Sequence, residues 1–162
     1  MRIPALLAFG PVLAGMAAVV LAMPSAAQPS AVPDGATAYK RCAACHLATG
    51  MGVPGAFPPL QKDFRERAAQ AEGRRYLVLA VVKGLSGPIT VEGKAYRGVM
   101  PAQSGLDDAT IAAILNHVGT SVAKVGPPFK PYAVAEIGAA KSWGAALDAA
   151  KVAALHGETG AR

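Results

Sequence analysis

The sequence predicts an all-α fold, because several segments combine helix-capping residues with apolar positions at helical spacing. Asp34 can cap a helix that runs to about residue 46, and Asp107 can cap a later helix that has Asp108 in its first turn. Residues 74–83 form a further helix that is apolar on every face from position 76 to 82, so we expect it to be buried. A polar helical stretch over about residues 63–72 precedes it. The apolar stripe of the later helix consists of Ile111, Ile114, Leu115 and Val118.

A short β-hairpin and a C-terminal extension complete the predicted fold. Alternation over residues 89–96, centred on Glu92-Gly93, indicates the hairpin. Beyond Ala123, a Gly/Pro-rich strap over residues 126–131 leads into an alanine-rich stretch. This extension is either a helix packed on the domain, with Trp143 as its anchor, or a docking segment for a partner.

The first 27 residues have the pattern of a secretory signal peptide. Arg2 precedes an apolar run to Met23, and small residues at Ser25 and Ala27 suit cleavage after Ala27. The alternative is a retained membrane anchor, since the run is about as long as the roughly 20 residues that span a bilayer. We therefore expect a signal peptide over residues 1–27, a linker over 28–33, one domain over 34–123 and the extension over 124–162.

The charge balance favours a protein partner over nucleic acid. Removal of Arg2 with the signal peptide leaves 15 basic and 10 acidic side chains and a formal charge of +5. The basic residues are dispersed along the chain rather than clustered as in a phosphate-binding patch, and solvated surface positions explain most of them. We expect partners with acidic docking surfaces, because a net field mainly steers association.

Cys42-Ala43-Ala44-Cys45-His46 is the attachment motif for c-type haem. Positions i, i+3 and i+4 fall on one face of a helix, so both thiols and the imidazole can meet the same macrocycle. A thioredoxin-like redox pair uses the same cysteine spacing but belongs with a βαβ pattern, which is not found. A zinc site would need four ligands. We therefore expect one covalent haem c, with His46 on its iron.

Met100 is the best candidate for a second iron ligand. Met51 lies only five positions beyond His46 and cannot easily reach across the ring, and the other methionines lie in the presumed signal peptide. Met100 stands between Gly98-Val99 and Pro101, and His/Met ligation is known for cytochromes c. His117 is the main rival, although its place beside an apolar stripe suits a packing role. His156, near a polar C-terminus, is a weaker rival.

With these residues in place, the chain resembles the class I cytochrome c family over roughly residues 34–120. Residues 39–46, 54–60 and 98–101 carry the match. More narrowly, residues 55–60, 84–89 and 91–96 look like haem domains that serve periplasmic dehydrogenases or are fused to copper nitrite reductases. The resemblance implies the cytochrome c fold, with three to four helices around one haem.

The resemblance also implies roles for three residues outside the motif. Pro58 matches the family proline whose carbonyl accepts the free N–H of the proximal imidazole, although Pro58 and Pro59 can also simply stiffen a turn. Tyr96 and Arg97 are candidates to bond a haem propionate, although an exposed arginine needs no such role.

Filled axial positions leave no open site for a substrate, so we expect an electron carrier, not an enzyme. It would shuttle electrons between periplasmic redox proteins. Two alternatives stay open: a fixed cytochrome subunit of a larger dehydrogenase or reductase, and a gas-binding or peroxidatic haem protein if Met100 does not ligate. Membrane attachment is expected only if the N-terminal segment is retained.

Overall fold

Six α-helices and four short strands follow one another along residues 33–159, the part of the chain that the computed structural model describes. The predicted signal peptide lies outside the described residues, as does the linker up to residue 32. The helices are α1 (Gly35–His46), α2 (Lys62–Ala68), α3 (Ala71–Lys83), α4 (Asp108–His117), α5 (Val134–Trp143) and α6 (Ala149–Glu158). The strands are β1 (Leu85–Ser86), β2 (Ile89–Val91), β3 (Lys94–Tyr96) and β4 (Val99–Met100). The predicted all-α fold with a short hairpin is confirmed.

Capping residues set the starts of α1 and α4 as predicted. The Asp34 carboxylate accepts the backbone N–H groups of Ala36 and Thr37 at 3.1 and 3.2 Å. The Asp107 carboxylate accepts the N–H of Thr110 at 2.7 Å. Each cap satisfies donors that the first turn of a helix leaves without an intrahelical partner. A π-helical turn (Val118–Val122) then continues α4 to the point where the strap begins.

Helix α3 is the centre of the core. Every residue from position 76 to 82 is buried, as the apolar sequence predicts. Helices α2, α4, α5 and α6 all contact α3. Lys83 ends the helix, and Gly84 follows with a φ of 73°.

The predicted boundary between α2 and α3 is wrong. The break falls at Ala69-Gln70 instead of at Gly73, so Glu72 lies in the first turn of α3. Gln70 is extended, with φ −120° and ψ 145°. The turn there directs Arg67 towards α6 and Arg74 towards the strap. These contacts are long-range, so local sequence signals do not reveal them.

Two small antiparallel sheets follow α3. In the predicted hairpin, Ile89 pairs with Tyr96 and Val91 with Lys94. Its two-residue turn, Glu92-Gly93, has positive φ at both positions, as a type I′ turn requires. In the second sheet β1 pairs with β4, which places Leu85 opposite Met100. The hairpin therefore sits within the loop that carries Met100.

The C-terminal extension packs on the helical core. Ile137 of α5 and Val152 of α6 are fully buried, and both helices contact α3. Trp143 is not the anchor that we expected, because its side chain is 52% exposed and lies against the Arg75 guanidinium. Six residues beyond Ile137, Trp143 points away from the buried face of the helix. Among residues 33–159, no helix is long and apolar enough to cross a membrane.

Arginines tie this extension to α2 and α3. Arg65 donates to the carbonyls of Gly119 and Pro127, both at 2.7 Å. Arg74, which is buried, donates to Lys130 O at 2.8 Å and pairs with the Glu136 carboxylate. Arg67 is 2% exposed and donates to the carbonyl of His156 at 2.8 Å. These three basic residues are therefore structural, contrary to the solvated surface role expected from their dispersion.

Close packing of α1 on α4 depends on Gly35, and this contact yields a prediction. A Cβ on Gly35 would lie 2.9 Å from the Ala113 carbonyl carbon and overlap its oxygen. Because backbone cannot move aside as a flexible side chain can, we expect Gly35→Ala to lower the free energy of unfolding of the haem-loaded protein by about 1–3 kcal/mol. Denaturant unfolding measures this loss.

Gly157→Ala is the matched control, since Gly157 also lies in a helix and a Cβ there would meet nothing within 4 Å. We expect it to be neutral or to stabilise the protein by up to about 1 kcal/mol, as alanine in a helix does relative to glycine. Equal unfolding free energies for Gly35→Ala and the parent protein would contradict the close contact.

Candidate haem site

The last turns of α1 place both thiols and one imidazole in the wall of a single cavity. Cys42, Cys45 and His46 all line it, as their spacing along the helix predicts. The Tyr39 hydroxyl donates to the carbonyl of Leu47 at 2.9 Å and so holds the chain where it leaves the helix. Three groups that can attach and ligate a haem therefore share one rigid surface.

The orientation of His46 is set by a hydrogen bond to a distant loop. Its ring is buried, and Nδ1 lies 2.8 Å from the carbonyl oxygen of Pro58. Since a carbonyl only accepts, Nδ1 carries the hydrogen and Nε2 keeps the lone pair that a metal requires. Burial lowers the pKa of His46 and outweighs the opposing effect of this hydrogen bond. The neutral ligand form is thus favoured at neutral pH.

Backbone contacts in the Gly/Pro-rich loop hold Pro58 in place. Gly52 donates its N–H to the carbonyl of His46 at 3.0 Å, and Leu60 donates to Gly50 at 2.7 Å. Gly52 has a φ of 62°, and a Cβ there would lie 2.6 Å from the Pro58 carbonyl oxygen. Only glycine leaves room for this approach. The loop therefore brings a carbonyl to His46 that the sequence places twelve positions away.

The two thiols are close together but not joined in a disulfide. Cys42 and Cys45 are both half-buried. Burial raises the pKa of the Cys42 thiol, so it stays protonated at neutral pH. Within residues 33–159, no cluster of three or more His, Cys, Asp or Glu side chains suits a metal ion.

The cavity is large, and its walls are mostly apolar. Its empty volume is about 1130 Å³, including the space at its open mouth. Helices α1, α3 and α4, the hairpin and the loop around Pro58 all contribute to the wall. Apolar lining residues include Phe64, Leu77, Val81, Leu85, Ile114 and Leu115. Such a cavity suits a broad, flat, apolar cofactor held by a few polar groups.

Met100 also lines this cavity. It is half-buried on β4, where pairing with Leu85 fixes its backbone. Met51 is 59% exposed and is not among the lining residues. Of the two methionines in the described part of the chain, Met100 alone is therefore placed in the cavity wall with His46.

The other predicted residues differ in their positions. Tyr96 is buried and lines the cavity, whereas Arg97 is exposed and does not. His117 packs against Tyr39, with ring centroids 5.4 Å apart, and is also not a lining residue. The propionate roles of Tyr96 and Arg97 stay predictions.

Two further polar residues reach the cavity that the sequence did not single out. Asp63 of α2 and His156 of α6 both line it, and His156 is 4% exposed. The only signal in the sequence is helical spacing, since Val152, Ala153 and His156 share the buried face of α6. That pattern alone does not indicate which side of the molecule α6 covers.

The donor set fits a covalently attached haem. The thiols and the oriented imidazole share one helix, the walls are apolar, and a thioether is available from a separate strand. Cys42 and Cys45 would hold the macrocycle, His46 would bind its iron, and Pro58 would orient His46.

Comparison with known proteins agrees with this geometry. The cytochrome c family model matches residues 32–121. Cytochrome c-552 of Thermus thermophilus is 46% identical over 106 residues, which cover 64% of this chain and 81% of that protein. A second cytochrome c-552, from another strain of Thermus thermophilus, is also 46% identical over 106 residues, which cover 72% of its length. The narrower likeness to dehydrogenase and nitrite reductase haem domains stays a prediction.

The helical fold, the haem-attachment residues on one helix face and these matches agree, and they show that the chain belongs to the cytochrome c family, as a class I c-type cytochrome that carries electrons on one covalently bound haem c.

Proposed function

We propose that the protein is an exported electron carrier whose haem iron is held by His46 and Met100 and which serves periplasmic redox proteins. The observation that carries this proposal is the placement of an oriented, neutral imidazole and a thioether in the wall of one apolar cavity. When bound, haem iron supplies a one-electron couple. With both axial positions filled from the chain, no position is left for a substrate.

The residues around the cavity favour the reduced state. Thioether ligation by Met100 and the apolar walls both stabilise the less charged form of the iron. The Pro58 carbonyl raises the basicity of His46 and keeps its ring in one orientation. We therefore expect a fairly high reduction potential and little structural change on electron transfer.

Electrons leave through the open mouth of the cavity. Phe57 and Val99 line the cavity and are also 37% and 66% exposed, so they mark its rim. Arg97 lies between two other lining residues, Tyr96 and Gly98, and is itself exposed. An apolar rim with a nearby positive charge suits brief docking of an acidic partner surface.

Covalent attachment through the two thiols gives the first prediction about function. We expect a Cys42→Ser/Cys45→Ser variant, matured in a host that attaches haem c, to lose all covalently bound haem because serine cannot form a thioether. Haem staining of the denatured chain and its intact mass measure this. Ala44→Ser, an exposed position in the same helix, should retain the haem. Haem that stays on the denatured double variant would contradict the assignment.

Ligation by Met100 predicts a spectroscopic change. We expect Met100→Ala to keep its covalent haem, to lose entirely the near-infrared sulfur-to-iron band of the oxidised protein and to bind added imidazole, because the thioether position becomes open. Met51→Ala is the control and should keep the band, since Met51 is exposed outside the cavity. A parent protein without this band would favour the gas-binding or peroxidatic alternative.

Positive charge at the rim predicts a salt-dependent rate. We expect oxidation of the reduced protein by the anion hexacyanoferrate(III) to slow as ionic strength rises, and Arg97→Glu to slow it by up to roughly tenfold at low salt. Stopped-flow absorbance measures both rates.

Lys130→Glu is the charge-matched control for this rate. Lys130 is exposed, and its carbonyl contacts Arg74 in the first turn of α3, whereas β1 and β4 follow the other end of that helix. A 13-residue helix separates these two ends by about 20 Å. Equal slowing by both variants would contradict a specific role for the rim.

A further inference from the structure

A histidine of the C-terminal extension is buried against the haem cavity without an evident function. His156 lies on α6, is 4% exposed and contributes to the cavity wall. Arg67 and Asp63 of α2 and Tyr76 of α3 surround it, and the Tyr76 ring packs edge-on at 5.4 Å between centroids. Nothing in the proposed ligation of the iron uses this imidazole.

The contact with Arg67 determines which ring nitrogen carries the hydrogen. The Nη2 of Arg67 lies 3.1 Å from Nδ1 of His156. A guanidinium has only donors, so Nδ1 accepts. In the neutral imidazole the hydrogen is therefore on Nε2.

The Nε2–H group is a buried donor without an acceptor. It has no hydrogen-bond partner among residues 33–159. The nearest carboxylate oxygen, Oδ2 of Asp63, is 3.5 Å away. Both oxygens of Asp63 already accept from Arg67, at 2.7 and 3.0 Å. An unsatisfied buried N–H is unfavourable, which points to an acceptor from outside the protein chain.

The bound cofactor carries such acceptors. Haem has two propionate carboxylates, whereas the other cavity walls near His156 are mostly apolar. The charge of Asp63 does not oppose a carboxylate here, because the two-fold contact with Arg67 balances it. We propose that Nε2–H of His156 donates a hydrogen bond to one haem propionate, which makes α6 part of the haem site.

This assignment gives the C-terminal extension a role at the cofactor. Arg67 fixes His156 from behind, through its ring nitrogen and its backbone carbonyl, and so holds the donor in one orientation. His156 is a positioning residue: it would fix one edge of the macrocycle and offset the charge of the carboxylate. Loss of that donor leaves the carboxylate more negative, which favours the oxidised iron.

The test compares three haem-loaded variants by resonance Raman spectroscopy and redox titration. We expect His156→Phe to shift the propionate bending band and to lower the reduction potential. His156→Gln should restore much of both values, because its amide can accept from Arg67 and donate to the carboxylate. His117→Phe is the control and should match the parent protein, since His117 does not line the cavity.

A measurement on the parent protein covers the case in which His156→Phe does not fold. In NMR spectra of protein labelled with ¹⁵N-histidine, the Nε2–H proton of His156 should exchange slowly with water and change its chemical shift between the reduced and oxidised states. A second, smaller cavity is lined by Arg67, Thr90 and His156, and water there is the rival acceptor. Fast exchange without a redox-dependent shift would favour water and overturn the proposal.

The inference rests on the haem placement proposed above, and its failure is distinguishable from failure of that placement. An unchanged propionate band in a His156→Phe protein that keeps its near-infrared band would overturn the role of His156 alone. It would leave His46 and Met100 as ligands.

Discussion

The hydrogen bond from His46 Nδ1 to the Pro58 carbonyl is the contact on which the site depends. It joins the end of α1 to a loop that has no regular secondary structure, at 2.8 Å. The same bond determines the tautomer of the imidazole, so that Nε2 is free for a metal. Because Pro58 accepts through its backbone, the side chain at that position serves mainly to stiffen the loop. The Gly52 contact with His46 holds the loop from the other side.

Arginine contacts connect this site to the C-terminal extension. Arg65 and Arg74 donate to backbone carbonyls of the strap, and Arg67 does so to α6. Buried guanidinium groups are favourable only where several acceptors surround them, and each of these residues has carbonyl partners. Ile137 and Val152 add apolar burial to the same interface. The extension thus belongs to the core of the described molecule.

Local signals were sufficient for most of the helical framework. Asp34 and Asp107 cap helices because short-range hydrogen bonds to the next turn do not depend on the rest of the fold. The hairpin turn at Glu92-Gly93 is likewise a local feature. The break at Gln70 and the exposure of Trp143 were not predictable in this way, because contacts with α6, the strap and α3 decide them.

The sequence by itself determined the cofactor chemistry, since Cys42, Cys45 and His46 are neighbours on one helix turn and their spacing follows from covalent and helical geometry. Only the tertiary structure decided what meets them. Met100 and Pro58 reach the cavity through strand pairing and loop closure, and His156 reaches it because α6 folds back onto α2 and α3. These approaches span long stretches of chain, and their energies come from packing and hydrogen bonds that no local pattern encodes.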